Sequence, residues 1–299
     1  MPELEDVWES VPIKTPHYTF ELQYKAKIHS KKVYDTGHLF VGNEDDPCLS
    51  ITFNLPGLRE LNSRFESTDI SVAHLNKIKN MKECILEDNT QSSKSSQSSH
   101  SSFAKEMLDA VILEIKKSFP FIHHIKLRDS SYIPCDGDSD TLDLLFYNIA
   151  LYKKTWYEQT FNAYFVPRDT FIQYRCAIEN YATTATKSAI SWIEFYNTAL
   201  GASNYFAQQQ FKTNMEKYET LYNNSKTFPD FFVELSKSIP KKDKCKFFKD
   251  WLESFLQDKM KIQNIRVWYI DLYSVEKSVQ RGGSRNLQYT RKRKRNNSS

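Results

Sequence analysis

Tyr18-Thr-Phe-Glu-Leu-Gln-Tyr-Lys-Ala-Lys-Ile28 carries an apolar or aromatic side chain at every second position. Tyr18, Phe20, Leu22, Tyr24, Ala26 and Ile28 would share one face of an extended chain, the two-residue period of a half-buried strand. Leu49-Ser-Ile-Thr-Phe-Asn-Leu55 repeats the pattern and stops at Pro56-Gly57. Gly37 to Pro47 supplies turn residues between the two, so the economical expectation is a hairpin. A third strand is expected from Asp69 to Ile78, with Ile70, Val72 and, in that register, His74 on one face. Upstream, Pro2, Pro12 and Pro16 discourage regular structure, and residues 1–16 read as an extended lead-in.

Downstream, residues 91–102 are Gln-Ser-Ser-Lys-Ser-Ser-Gln-Ser-Ser-His-Ser-Ser. Eight of the twelve are serine and none is apolar, so the segment has nothing to bury in a core. Ala104, Met107, Leu108, Val111, Ile112 and Ile115 then recur at helical spacing, with Ser101 or Ser102 as the expected N-cap. Phe119-Pro120 ends that helix, and Phe121 to Leu127 reads as a strand. A second helix is expected from Thr141 to Tyr157, capped by Asp140 or Thr141, with Leu142, Leu145, Phe146, Ile149 and Trp156 on one stripe. Ala163 to Val166 reads as a short strand closed by Pro167. Beyond Arg168 helical patterns dominate, near 169–200, 203–224, 228–238 and 243–260, with breaks at Gly201, Pro229 and Pro240. Ile265 to Tyr273 looks like a last strand that could rejoin the N-terminal sheet.

The 299 residues are 40% hydrophobic and 14% aromatic, which argues against wholesale disorder. The formal net charge of +4 divides unevenly. Arg281 to Ser299 carries seven basic residues and no acid; the other 280 hold 34 basic and 37 acidic groups and sum to −3. No run of eighteen apolar residues exists, so no membrane span is expected. Glu3, Glu5, Asp6 and Glu9 make the N-terminus unlike a signal or transit peptide. The five cysteines are odd in number and widely spaced. Without an export signal they read as reduced thiols, which implies an intracellular protein of cytoplasm or nucleus.

The order strand, hairpin, strand, polar loop, helix, strand, helix, strand over residues 17–167 resembles the core of the Gcn5-related N-acetyltransferase (GNAT) fold. Trp156-Tyr-Glu-Gln-Thr-Phe161 is similar to that family's aromatic, Tyr-Glu-Lys, Gly-Phe segment, where the last helix hands over to a strand. Phe119-Pro-Phe-Ile-His-His-Ile-Lys-Leu-Arg-Asp-Ser130 and Tyr147-Asn-Ile-Ala-Leu-Tyr-Lys-Lys-Thr-Trp-Tyr-Glu-Gln-Thr-Phe-Asn-Ala163 resemble uncharacterised acetyltransferase-like proteins of large DNA viruses, which adds the virion to the expected locations. The resemblance covers about half the chain. It implies an α+β fold, a GNAT-like mixed β-sheet flanked by helices at 17–167. A mainly helical C-terminal extension at 168–278 and a disordered basic tail at 279–299 would follow.

The resemblance also implies acetyl-CoA as cofactor, acyl transfer to an amine, and Tyr157 as the acid that protonates the leaving thiolate, with Tyr152 as the alternative. A phenol holds its proton at neutral pH and can donate it to a developing anion. Such enzymes hold the cofactor's pyrophosphate on a loop of pattern Arg/Gln-x-x-Gly-x-Gly/Ala, because backbone N–H groups beside a helix N-terminus must point at the phosphates. Here the corresponding loop is Ser-rich, and no glycine occurs between Gly57 and Gly137. Ser101, Ser102, Phe103 and Ala104, at the helix start, are what remains to attract an anion. Cofactor binding is therefore expected to be weakened or absent.

Other constellations have plainer readings. Asp136-Gly-Asp-Ser-Asp140 opens like a calcium loop, but Leu142 and Tyr147 stand where oxygen ligands belong, so a turn before a capped helix is expected. His123 and His124 are adjacent in a strand and point to opposite faces. No metal site is expected. The dense aromatics between Tyr181 and Phe232 fall at helical spacing and read as core rather than as a base-stacking platform. Arg291, Lys292, Arg293, Lys294 and Arg295 form a contiguous cationic run suited to nuclear localisation or to non-specific, salt-sensitive nucleic-acid binding. Two functions follow. One is a GNAT-like protein with weak or lost N-acetyltransferase activity. The other is a non-catalytic structural or interaction protein that binds a protein partner through the helical half and nucleic acid through the tail.

Overall fold

The structure, a computed structural model, describes residues 7–27, 35–55, 70–78, 87–88, 101–135 and 140–273. The strands are β1 (Val7–Lys14), β2 (Tyr18–Lys27), β3 (Asp35–Val41), β4 (Leu49–Leu55), β5 (Val72–Ile78) and β6 (Glu87–Asp88). Helix α1 (Ser101–Ser118) leads into β7 (His124–Arg128), and β10 (Val267–Asp271) comes after the helical half. The main sheet runs β1-β2-β3-β4-β5-β7-β10, with the two-residue β6 on β2. Its pairs are antiparallel except β5 with β7, which is parallel and spans α1. The architecture is thus mixed α+β, with a mostly antiparallel sheet followed by a helical half. The expected return of the last strand is correct, since β10 pairs with β7.

Register sorts the side chains into two faces. Tyr24, Leu39, Ile51, Leu75, Leu127 and Trp268 are successive partners across six strands. Ala26, Gly37, Phe53, Ala73, Ile125 and Ile270 form the next row on the same side. Helix α1 covers this apolar face: Phe103 packs on Tyr18 and Phe20, with ring centroids 5.2 and 5.4 Å apart. Just past its end, Phe119 packs on Phe53 at 4.7 Å. Small residues at 26, 37 and 73 make room for the Phe53 ring. A Cβ on Gly37 would lie 2.5 Å from that ring.

That packing corrects three expectations. Gly37 is a strand residue, and β3 lies between β2 and β4, so the two alternating runs are not hairpin partners. The lead-in forms strand β1, with Pro12 on the outermost strand, where a missing N–H is tolerated. On β5, Ala73 and Leu75 are buried while His74 points outward. Ser50 pairs with Lys77 but Ile51 with Leu75, so a bulge at Asn76 shifts the two-residue parity. Leu75 and Ile78 can then both face the core.

The helix expected at 141–157 is cut into β9 (Thr141–Asp143), α2 (Leu144–Tyr152) and α3 (Trp156–Phe161). Asp143, rather than Asp140 or Thr141, caps α2, accepting the Leu145 N–H at 2.9 Å. Lys153 takes a positive φ of 62°, and Thr155 with Glu158 forms a capping box that starts α3. Ser101 and Ser102 already lie inside α1 rather than capping it. Ala163 to Val166 makes a single bridge, Tyr164 with Tyr269, and not a strand. The Ser-rich stretch up to His100, residues 136–139 of the acidic loop, and the basic tail lie outside the described residues.

The second half comprises α4 (Arg168–Tyr181), α5 (Thr184–Ala189), α6 (Trp192–Ala202), α7 (Tyr205–Thr213), α8 (Met215–Asn224) and α9 (Phe228–Ser238). Then come α10 (Lys244–Phe248), α11 (Trp251–Ser254) and a π turn at Phe255–Lys259. These helices are shorter than the patterns suggested because Thr183 and Ser191 cap new starts inside the first, and the chain breaks at Asn214 to start α8 inside the second. Gly201 lies within α6, and Pro229 sits in the first turn of α9, where proline is welcome. The aromatics do form core: Phe195 touches Tyr222, Phe231, Trp251 and Phe255 with centroids 5.1 to 6.0 Å away. One continuous buried cluster runs from Ile13 to Leu272, through both halves.

The cysteines overturn the reduced-thiol reading. Cys135, after β8 (Tyr132–Pro134), is bonded to Cys245 on α10, 110 residues away. Cys48 is disulfide-bonded too, and Cys176 is free and exposed. Sequence spacing could not reveal the bridge, because folding brings the two halves together. Closing so long a loop restricts the unfolded chain, so Cys135→Ser with Cys245→Ser should lower unfolding stability by about 2–5 kcal/mol in denaturant titration. An unchanged midpoint would show the bridge is absent. Gly37→Ala should cost about 1–3 kcal/mol by forcing the Phe53 ring aside, measured the same way.

Candidate functional site

Pairing between the parallel strands ends at Leu75 with Leu127, while β5 continues to Ile78 and β7 to Arg128. Ligands of open α/β sheets gather at such carboxyl ends, where the strand order changes sense. Asp129, the next residue, is buried, and its N–H bonds the Arg266 carbonyl 2.7 Å away. Its carboxylate accepts the Ser131 N–H at 3.1 Å and the Ser131 hydroxyl. Burial outweighs those bonds and raises the Asp129 pKa.

Tyr157 lies close to this end. Burial pushes its phenol well above the usual range, and the neighbouring charge of Asp129 adds to the shift. The residue belongs to the core cluster, with its ring edge-on to Trp156 at 4.9 Å. The α3 capping box aims this segment. Glu158 accepts the Thr155 N–H at 3.0 Å and the Tyr174 hydroxyl at 2.5 Å. Tyr152, at the end of α2, is exposed. Phe103 and Ala104 are buried against the sheet, so at those positions only backbone N–H groups are left for an anion. Ser101 and Ser102 contribute helical backbone, and their side chains lie outside the described residues, as do Arg291, Lys292, Arg293, Lys294 and Arg295.

Residues the sequence reading missed sit on the other face. His74 is the direct partner of Lys126 across the parallel pair. Burial lowers its pKa, and the Lys126 charge lowers it further, so the imidazole is neutral at pH 7. A neutral imidazole can accept a proton. Its outward direction follows from the bulge at Asn76, which sequence periodicity does not show.

Beside Asp129, Arg266 joins the sheet to the helical half. It meets Asp143 at 2.7 Å and Glu253 at 3.2 Å, and stacks near Phe146 at 5.5 Å. A cleft of about 260 Å³ opens here, with Ser131, Thr141 and Asp250 also on its wall. Burial raises the Glu253 pKa, and Asp143 adds to it, against the pull of Arg266. Among the described residues no cluster of His, Cys, Asp and Glu could hold a metal, and no helix is long and apolar enough to cross a membrane.

The His74 ring should titrate below 6.5 when followed by NMR. Because its folded pKa is depressed, protonation opposes folding, so its effect on stability is nil above pH 6.5 and unfavourable as pH falls through the folded value. Lys126→Met should move the midpoint part of the way back toward 6.5, leaving the larger share that burial causes. A midpoint at or above 6.5 in the unaltered chain would contradict this environment.

Compared with known proteins, the chain matches no family model, no curated protein and no solved structure.

Proposed function

We propose that the chain is a GNAT-like acyltransferase-fold protein whose acetyl-CoA-dependent transfer to an amine is weak or lost. The observation that carries this reading is the parallel pair β5 with β7, the one such pair among the described strands, spanned by α1 inside an otherwise antiparallel sheet, with Tyr157 near its carboxyl end. In the transfer, the amine nitrogen attacks the thioester carbonyl and the carbon–sulfur bond breaks. The amine proton passes to solvent, since His74 faces outward while Tyr157 lies in the buried layer. Tyr157 is the candidate to give a proton to the departing thiolate.

Two features argue for low activity. The loop before α1 lacks glycine, so its backbone is poorly suited to wrap a pyrophosphate. The Tyr157 phenol is a weaker acid than usual, so donating to a thiolate of pKa about 8.5 runs uphill. We keep cytoplasm or nucleus as the expected location on the strength of the basic tail. The disulfide-bonded Cys48, Cys135 and Cys245 weigh against it, since reducing compartments keep thiols free.

Acetyl-CoA titrated into the purified chain should bind weakly and raise the melting temperature. A tenfold excess over Kd adds about 1.4 kcal/mol. Any transfer to a small amine should fall roughly 100-fold or more in Tyr157→Phe while cofactor affinity stays the same. No heat and no thermal shift at millimolar acetyl-CoA would sink the catalytic reading.

A further inference from the structure

The face of the sheet away from α1 carries a continuous polar and aromatic row. Successive partners are His38, Thr52, His74, Lys126, Tyr269 and Tyr164, running from β3 to the bridge beyond β10. The register that lines up the apolar row also builds this one, one residue away along each strand. Tyr164 and Tyr269 are half-buried, with ring centroids 6.2 Å apart and planes 31° apart. Lys126 Nζ lies 5.9 Å from the Tyr269 centroid. Arg128 follows two residues along β7 on the same face, about 7 Å away by strand rise, and is exposed. Neither cation has a carboxylate partner among the described residues. Asp271 lies at the margin, opposite His124, and accepts the Tyr273 N–H at 2.9 Å.

Unpaired cations beside half-buried tyrosine rings suit a flexible polyanion with stackable groups. A duplex hides its bases, whereas a single strand can lay them on aromatic side chains of an open sheet. The packed aromatics of the helical half cannot serve, because Phe195, Tyr218 and Tyr222 are buried, and the exposed Tyr205 lies outside that cluster. We propose that this sheet face binds single-stranded nucleic acid, with phosphates on Lys126 and Arg128 and bases on Tyr269 and Tyr164. The inference is independent of acyl transfer, since it needs no chemistry at Tyr157 and no cofactor.

The full chain should be photocrosslinked to a labelled single-stranded oligothymidine, and the attached peptides identified by mass spectrometry. Crosslinks at Tyr269, Tyr164 or the 124–128 strand are expected. In salt-dependent binding assays, Lys126→Ala with Arg128→Ala should lower affinity and flatten the log–log salt slope by about 1.4, for two phosphates on a single strand. Tyr269→Leu should weaken binding roughly tenfold with the slope unchanged, as loss of one stacked base does. The melting temperature of each variant guards against unfolding. Crosslinks confined to 281–299, an unchanged slope, or equal competition by duplex or by polyphosphate of matched charge would each overturn the proposal.

Discussion

The hydrogen-bonded register that sets Tyr24, Leu39, Ile51, Leu75, Leu127 and Trp268 in one line across six strands ties two unlike surfaces to each other. A slip of one residue in any strand would send its apolar set to the polar face and its cations into the core. Phe53 stiffens the arrangement, since its ring fits only where Gly37 and Ala73 leave space. The bulge at Asn76 lets β5 satisfy both neighbours, antiparallel β4 and parallel β7. Without it, either Leu75 or Ile78 would face solvent. Asn76 is also held from the side, its amide donating to Thr52 Oγ1 at 3.0 Å.

The helical half is anchored to that sheet by several different interactions. β10 returns to pair with β7, and Trp268 enters the core against Phe165 at 5.0 Å. Tyr181 reaches from α4 to donate to the Ala150 carbonyl at 2.8 Å. Arg266 bridges Asp143 on the sheet side and Glu253 on the helical side. The Cys135–Cys245 bond adds a covalent tie close by. Around this joint the backbone is under strain. Asp250 has φ 70° and ψ −70°, a conformation costly for any residue with a side chain. Asn204 holds it there, donating to Asp250 Oδ2 at 3.3 Å and to the Lys246 carbonyl at 2.9 Å.

The two functional ideas use opposite faces of the same strands. Tyr157 and Asp129 lie in the buried layer at the carboxyl end of β7, where low dielectric raises both pKa values. His74, Lys126 and Arg128 lie on the solvent side, where charges stay hydrated and can meet a large ligand. The net charge of the body, −3, hides this local concentration of cations on the sheet. The aromatic content is divided too, with a dense group of rings in the helical core and the half-buried Tyr164 and Tyr269 on the outward face of the sheet.

Local pattern in the sequence determined a good deal. Period-two alternation announced β2 and β4, helical spacing announced α1, and the apolar run at 265–273 announced the closing strand. These signals are legible because burial on one face acts on neighbours along the chain. Tyr157 could be singled out by resemblance alone, and its chemical setting could not be read. Only the tertiary structure decided that Gly37 belongs to a strand, that His74 faces outward beside Lys126, and that Cys135 meets Cys245. Each depends on a partner far away in sequence: the Phe53 ring, the β4–β5 bulge, the packing of α10 against β9. Side-chain direction and contact are set by pairing register and by volume, and a linear pattern carries neither.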